Sequence, residues 1–129
     1  MVNSHIFDYI NVLDKAADAA WLRNDAIANN IANIDTPGYK RQDVSFETNL
    51  QRALGYAGFQ TMDEKVYNLN TTEITPRVYT DAASFSYRLD GNNVDIDTEG
   101  VYMAENQVLY NALIDSIEKE FQNLKAVMK

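Results

Sequence analysis

Residues able to do chemistry are few in this chain, and their spacing suits little of it. His5 is the single histidine and cysteine is absent, so neither a catalytic triad nor a thiolate site can be built around it. His5 therefore reads as a solvated residue. The acidic group Asp90, Asp95, Asp97 and Glu99 raises the question of calcium. An EF-hand loop needs oxygen ligands at alternating positions and glycine at the sixth. Here Gly91 stands second and Val94 interrupts the alternation. These carboxylates better suit a turn followed by the positive N-terminal end of a helix. There is no glycine-rich phosphate loop, nucleophile elbow or pair of catalytic carboxylates. The expectation is a protein without enzymatic activity, cofactor or metal.

The 129 residues fit one domain, and an apolar fraction of 46% is ordinary for a folded chain. A net charge of −8 argues against nucleic acid or an anionic membrane as partner, since either calls for a basic patch. The tyrosines are scattered with no basic groove beside them, so they read as half-buried packing groups. Met1 to Asp8 has neither a cationic nor a continuous apolar region, so no cleaved secretory signal is expected. No apolar run approaches the ~20 residues that span a bilayer, which predicts no lipid insertion.

What remains is periodicity. Ile6, Ile10, Leu13, Ala17, Ala20, Asn24, Ile27, Ile31 and Ile34 recur at alternating steps of four and three, a seam that packs against other helices. This predicts a first helix from Asn3 or Ser4, either of which can cap it, to Ile34. Thr36-Pro37-Gly38 ends it, through the extended bias before proline, the missing N–H and a glycine that tolerates positive φ. A second helix over 98–129 is predicted from Met103, Asn106, Tyr110, Leu113, Ile117, Phe121, Leu124 and Met128, with Leu109, Ile114 and Val127 widening the face. Asp97 or Thr98 is the expected cap. Two helices of about 31 residues run ~45 Å each, longer than the roughly 36 Å diameter of a compact globule this size. The fold class is therefore mainly α, an antiparallel coiled-coil-like pair. Phe7, Tyr9, Trp21 and Leu22 lie off the seam and call for further partners, hence an oligomer. Asn24 reads either as a buried register residue or as a surface asparagine at the edge of the stripe.

The helical core is thus assigned to 1–35 and 98–129, and a connector to 36–97. Phe46, Leu50, Ala53 and Leu54 suggest a short helix over about 45–54, stopped at Gly55. Residues 55–83 show little periodicity and read as a variable loop, with an extended stretch from Ile74 to Thr80 interrupted by Pro76. Phe85, Tyr87 and Leu89, then Val94 and Ile96, alternate with polar residues across Asp90-Gly91-Asn92-Asn93, which predicts a β-hairpin over 84–97.

Ala28-Asn29-Asn30-Ile31-Ala32-Asn33 followed by Thr36-Pro37-Gly38-Tyr39-Lys40 resembles the N-terminal signature of bacterial flagellar axial proteins of the rod and hook class. Leu89 to Asp97, leading into the last helix, is similar to the proximal rod members of that family. The resemblance covers about 1–54 and 84–129, and the signature differs in carrying Ile31 where leucine is frequent. It implies a structural subunit of the basal-body rod, lying outside the cytoplasmic membrane, with its terminal helices packed into a tube. The implied partners are other rod subunits, the ring–rod adaptor, the membrane-ring protein and the type III export apparatus. Export substrates of the family carry a Phe-x-x-x-hydrophobic gate motif, which Phe46 to Leu50 fits. Another rod or hook axial subunit, or a small helical export chaperone, is the alternative reading.

Overall fold

Two helices set the frame. In the computed structural model, which describes residues 7–55, 60–81 and 88–128, α1 (Asp8–Ala32) and α4 (Ile96–Val127) bracket β1 (Gln42–Ser45), α2 (Glu47–Leu54), α3 (Met62–Tyr67) and β2 (Arg77–Thr80). The long helices run antiparallel: Asn30, near the end of α1, meets Glu99 in the first turn of α4, and Ala20 meets Asn106 further along. The chain is thus mainly α, with its long helices paired. His5 and Ile6 lie outside the described residues, as do Phe85 and Tyr87.

Alanine gives α1 two close-packing sides. It is the best helix former and keeps the surface thin enough for neighbours to approach. Ile10, Ala17, Ala20 and Ile27 are buried at the expected spacing. Ala19 and Ala26 instead join Val44, Phe46 and Ile74 in the connector's core, with Ala16, Leu22, Leu50 and Leu69 packed against it. Burying each of the large members contributes roughly 1.5–3 kcal/mol. Leu22 therefore finds its partner inside the chain, while Trp21 is left 65% exposed.

The seam departs from expectation at Asn24, which is exposed and is not a buried register residue. The buried stripe runs from Ile10 and Ala17 to Ile27 and Asn30 and passes Asn24 by. The buried amides on the two long helices are Asn30 and Asn106. Asn106 donates through Nδ2 to the Ala20 carbonyl at 2.7 Å, while its Oδ1 has no partner. An unpaired buried acceptor of this kind costs about 1–3 kcal/mol.

α4 begins at Ile96 because Asp95 caps it, its Oδ1 accepting from the N–H groups of Asp97 and Thr98 at 3.0 and 3.4 Å. The cap thus lies ahead of the expected Asp97 or Thr98. It also converts the end of the expected second hairpin strand: Ile96 and Asp97 are helical, and residues 88–95 carry no strand. The strands lie elsewhere. β1 pairs antiparallel with β2, Gln42 opposite Thr80 and Ser45 opposite Arg77, and Pro76 sits just ahead of β2, where its missing N–H disturbs no ladder. The expected loop over 55–83 contains α3, which starts with a reciprocal capping box between Thr61 and Glu64. α2 starts at Glu47 because Ser45 closes β1 and Phe46 turns into the core.

Candidate functional site

The densest polar construction in the molecule joins the end of α1 to the start of α4. It begins with Asn30, which is fully buried. Its Oδ1 accepts from the Gln42 N–H at 2.8 Å and from the Tyr39 hydroxyl at 3.2 Å. Its Nδ2 donates to the Gln42 carbonyl at 2.8 Å and to Glu99 Oε2 at 3.1 Å. Two donors and two lone pairs are all an amide has, and all are paired. Asn30 thus acts toward β1 as a neighbouring strand would.

Glu99, 1% exposed, receives the second set of bonds. Arg41 donates from Nε to Glu99 Oε1 at 2.7 Å and from Nη1 to Asp81 Oδ2 at 2.9 Å. Asp43 approaches the same nitrogen at 3.7 Å, and the guanidinium lies 5.2 Å from the centre of the Tyr102 ring, within cation–π range. Burial disfavours the charged guanidinium, but the bonds to Glu99 and Asp81 outweigh it and raise its proton affinity further. Burial raises the Tyr39 phenol, and the Glu99 charge adds to this. A charge this buried is tolerated only because it is paired and hydrogen-bonded on several sides.

A third set holds the segment just past α1. The last carbonyls of the helix, those of Asn29, Asn30 and Ile31, accept from the Asn33 and Ile34 N–H groups, and the turn before α4 binds the carbonyls beyond them. Asn92, fully buried, reaches the carbonyls of Asn33, Ile34 and Thr36, each at 2.9 Å from Nδ2, and accepts from the Val94 N–H at 2.8 Å. Arg88 donates to the Ile34 carbonyl at 2.7 Å and pairs with Asp90 at 3.2 Å. The Gly38 N–H reaches the Asp90 carbonyl at 2.8 Å, and Lys40 bonds the Gly91 carbonyl. Thr36 to Tyr39 forms a turn closed by the Tyr39 N–H on the Thr36 carbonyl at 3.2 Å. Pro37 stands second and Gly38, at φ +72°, third, the arrangement that requires glycine. Gly91, at φ +77°, makes the facing turn for the same reason.

The signature residues therefore divide. Asn30 wires the junction, and Asn33 donates to the Asn29 carbonyl at 2.8 Å while accepting from the Thr36 hydroxyl at 3.2 Å. Asn29, Ala32, Thr36, Pro37 and Gly38 are exposed; Ile31, Asn33 and Tyr39 are half-buried. Among the helix-packing residues Ile10 and Ile27 are buried, whereas Leu13, Leu113, Ile117 and Leu124 are half-buried and Phe121 is 51% exposed. Phe46 is buried and Leu50 half-buried, one helical turn apart, with the Leu50 N–H on the Phe46 carbonyl at 2.8 Å. The carboxylates once considered for calcium are dispersed: Asp90 pairs with Arg88, Asp95 caps α4 and Glu99 holds Arg41.

A second clasp fastens the connector to α1. Arg23 donates from Nη1 and Nη2 to the two Glu47 oxygens at 2.7 Å each, from Nε to Asp43 at 3.3 Å and from Nη2 to the Val44 carbonyl at 2.8 Å. The bond from Arg23 holds the Glu47 carboxyl below the usual carboxylate range, against the opposing pull of burial. Sequence reasoning missed Arg23, Arg41, Asp81, Arg88 and Asn92. Only the glycines at the two facing turns hinted that these segments meet. The polar groups here are committed to one another, so the arrangement holds segments together.

Comparison with known proteins agrees with that geometry. Residues 10–40, which run from the buried face of α1 through the Pro-Gly turn, match the flagella basal body rod protein family. The flagellar basal body rod protein FlgB of Bacillus subtilis is 34% identical over 119 residues, covering 92% of both chains. That of Borreliella burgdorferi is 32% identical over 87% of this chain and 89% of its own, and that of Escherichia coli is 29% identical over 83% of each. The chain belongs to the FlgB family of flagellar basal body rod proteins.

Proposed function

We propose that this chain is a structural subunit of the proximal rod of the flagellar basal body and assembles there by helix packing. One observation carries the reading: a junction wired tightly within the chain holds out a long helix whose far half has little to cover it. Beyond Asn106 no residue of α4 is buried, and Val108, Phe121 and Val127 are 70%, 51% and 85% exposed. Apolar surface of this extent marks an interaction site. Its partners are other rod subunits, the ring–rod adaptor and the membrane-ring protein. No helix among the described residues is long and apolar enough to cross a membrane.

The subunit reaches the rod through the flagellar type III export apparatus, unfolded. Phe46 is buried and Leu50 partly buried in the folded chain, so the gate motif is read before the connector core forms. Mass spectrometry of purified basal bodies tests the assignment. The chain is expected among the rod proteins, and its retention in the cytoplasm with export cargo would instead favour a chaperone.

A further inference from the structure

The two edges of the small sheet are finished differently. Along β1 the outward backbone groups of Gln42 and Val44 are all bound by side chains. Asn30 takes the Gln42 N–H and carbonyl, Asp43 Oδ1 accepts from the Val44 N–H at 2.7 Å, and Arg23 donates to the Val44 carbonyl. Along β2 the matching groups are bare. The Asp81 N–H reaches the Arg41 carbonyl at 2.8 Å. By the alternation of an antiparallel ladder, Tyr79 and Arg77 therefore turn their backbone groups to β1, while Val78 and Thr80 turn theirs outward. Nothing among the described residues bonds those outward groups. All four residues of β2 are exposed, and no bulge or internal proline blunts the edge.

We infer that this edge pairs with the same edge of a second copy, antiparallel and centred on Tyr79. The inference goes beyond the rod assignment and does not depend on it, since a twofold contact closes a pair whereas a rod needs contacts that repeat. Charge selects the occupant. Arg77 and Asp81 lie two residues either side of Tyr79, on one face of the strand. In this register each copy's Arg77 therefore stands opposite the other's Asp81. Arg77 is exposed and has no ion pair among the described residues. Asp81 belongs to a group in which two guanidiniums, Arg23 and Arg41, serve four carboxylates, Asp43, Glu47, Asp81 and Glu99, so a further cation is attracted there. The outward groups of Val78 meet those of Thr80, and the Tyr79 rings, 46% exposed, face each other across the axis. Slipping by one residue sets outward groups against groups already bound to β1. Slipping by two parts Arg77 from Asp81, and a parallel pair sets Arg77 beside Arg77.

The chain has no cysteine, so Tyr79→Cys places one thiol per copy at the axis, where facing Cα atoms lie about 4.5 Å apart. Oxidation of the purified chain is expected to give a disulfide-linked dimer from Tyr79→Cys and none from Thr80→Cys, which faces Val78. Equal yields, or none from Tyr79→Cys, overturn the proposal. In the cysteine-free chain, Val78→Pro removes an outward N–H and keeps every bond to β1, and Arg77→Asp sets carboxylate against carboxylate. Each is expected to keep the wild-type circular dichroism spectrum and to weaken the dimer at least tenfold in sedimentation equilibrium. Unchanged dimerisation of both variants, or a wild-type chain still monomeric at about 1 mM, overturns the pairing and leaves the rod assignment standing. Absence of the wild-type chain from basal bodies would overturn only the rod assignment.

Discussion

The two ends of the helix pair are built on opposite plans. At the junction three of the fully buried side chains are polar, namely Asn30, Asn92 and Glu99. At the far end of α4 large apolar groups are exposed, with Phe121, Val127 and the capping Met128 uncovered. The difference shows how folding and assembly are kept apart in one small chain. Directional bonds fix the angle between helix and connector, which apolar contact alone leaves loose. Apolar area then remains for partners, at about 25 cal/mol for each Å² they cover.

Removing Glu99 tests the comparison most severely. Glu99→Ala strands Arg41 in a half-buried site and frees one Asn30 donor, and is expected to cost about 3–5 kcal/mol in urea unfolding. A loss under about 1 kcal/mol would mean that the ion pair does not hold the junction. Asn92→Ala removes the amide that binds the carbonyls of Asn33, Ile34 and Thr36 just past α1 and is expected to cost about 1–3 kcal/mol. Amide exchange should then quicken at residues 33–38 and not in the far half of α4. Phe121→Asp should change stability by less than about 0.5 kcal/mol, as exposed substitutions usually do, while excluding the chain from basal bodies. If it destabilised the monomer as much as Asn92→Ala, the contrast between the ends would vanish.

The helices were legible because a period of three and four survives in sequence, and Thr36-Pro37-Gly38 marks where the first one stops. The junction was far less so. Glu99 looked like one of several carboxylates near a helix start, and nothing in the spacing pairs it with Arg41 across 58 positions. Asn24 stood on the apolar seam and Asn30 beside it, yet Asn30 is buried against the connector and Asn24 is exposed, a distinction only the packed neighbours make. Val94 alternated as a strand residue should, but the Asp95 side chain offered the backbone a helix start instead. β1 holds one buried apolar residue, Val44, too little for a period-two signal. α3 did leave a trace in Thr61-Met62-Asp63-Glu64, a capping box within a stretch otherwise without rhythm.

The clasp also sets a timetable. Its bonds join residues 58, 59 and 69 positions apart, so neither half can be satisfied until the other has arrived. Closing such distant contacts is slow beside the growth of a lone helix. The helix and connector therefore lock into their working angle only once the last third of the chain has been made and has found the first.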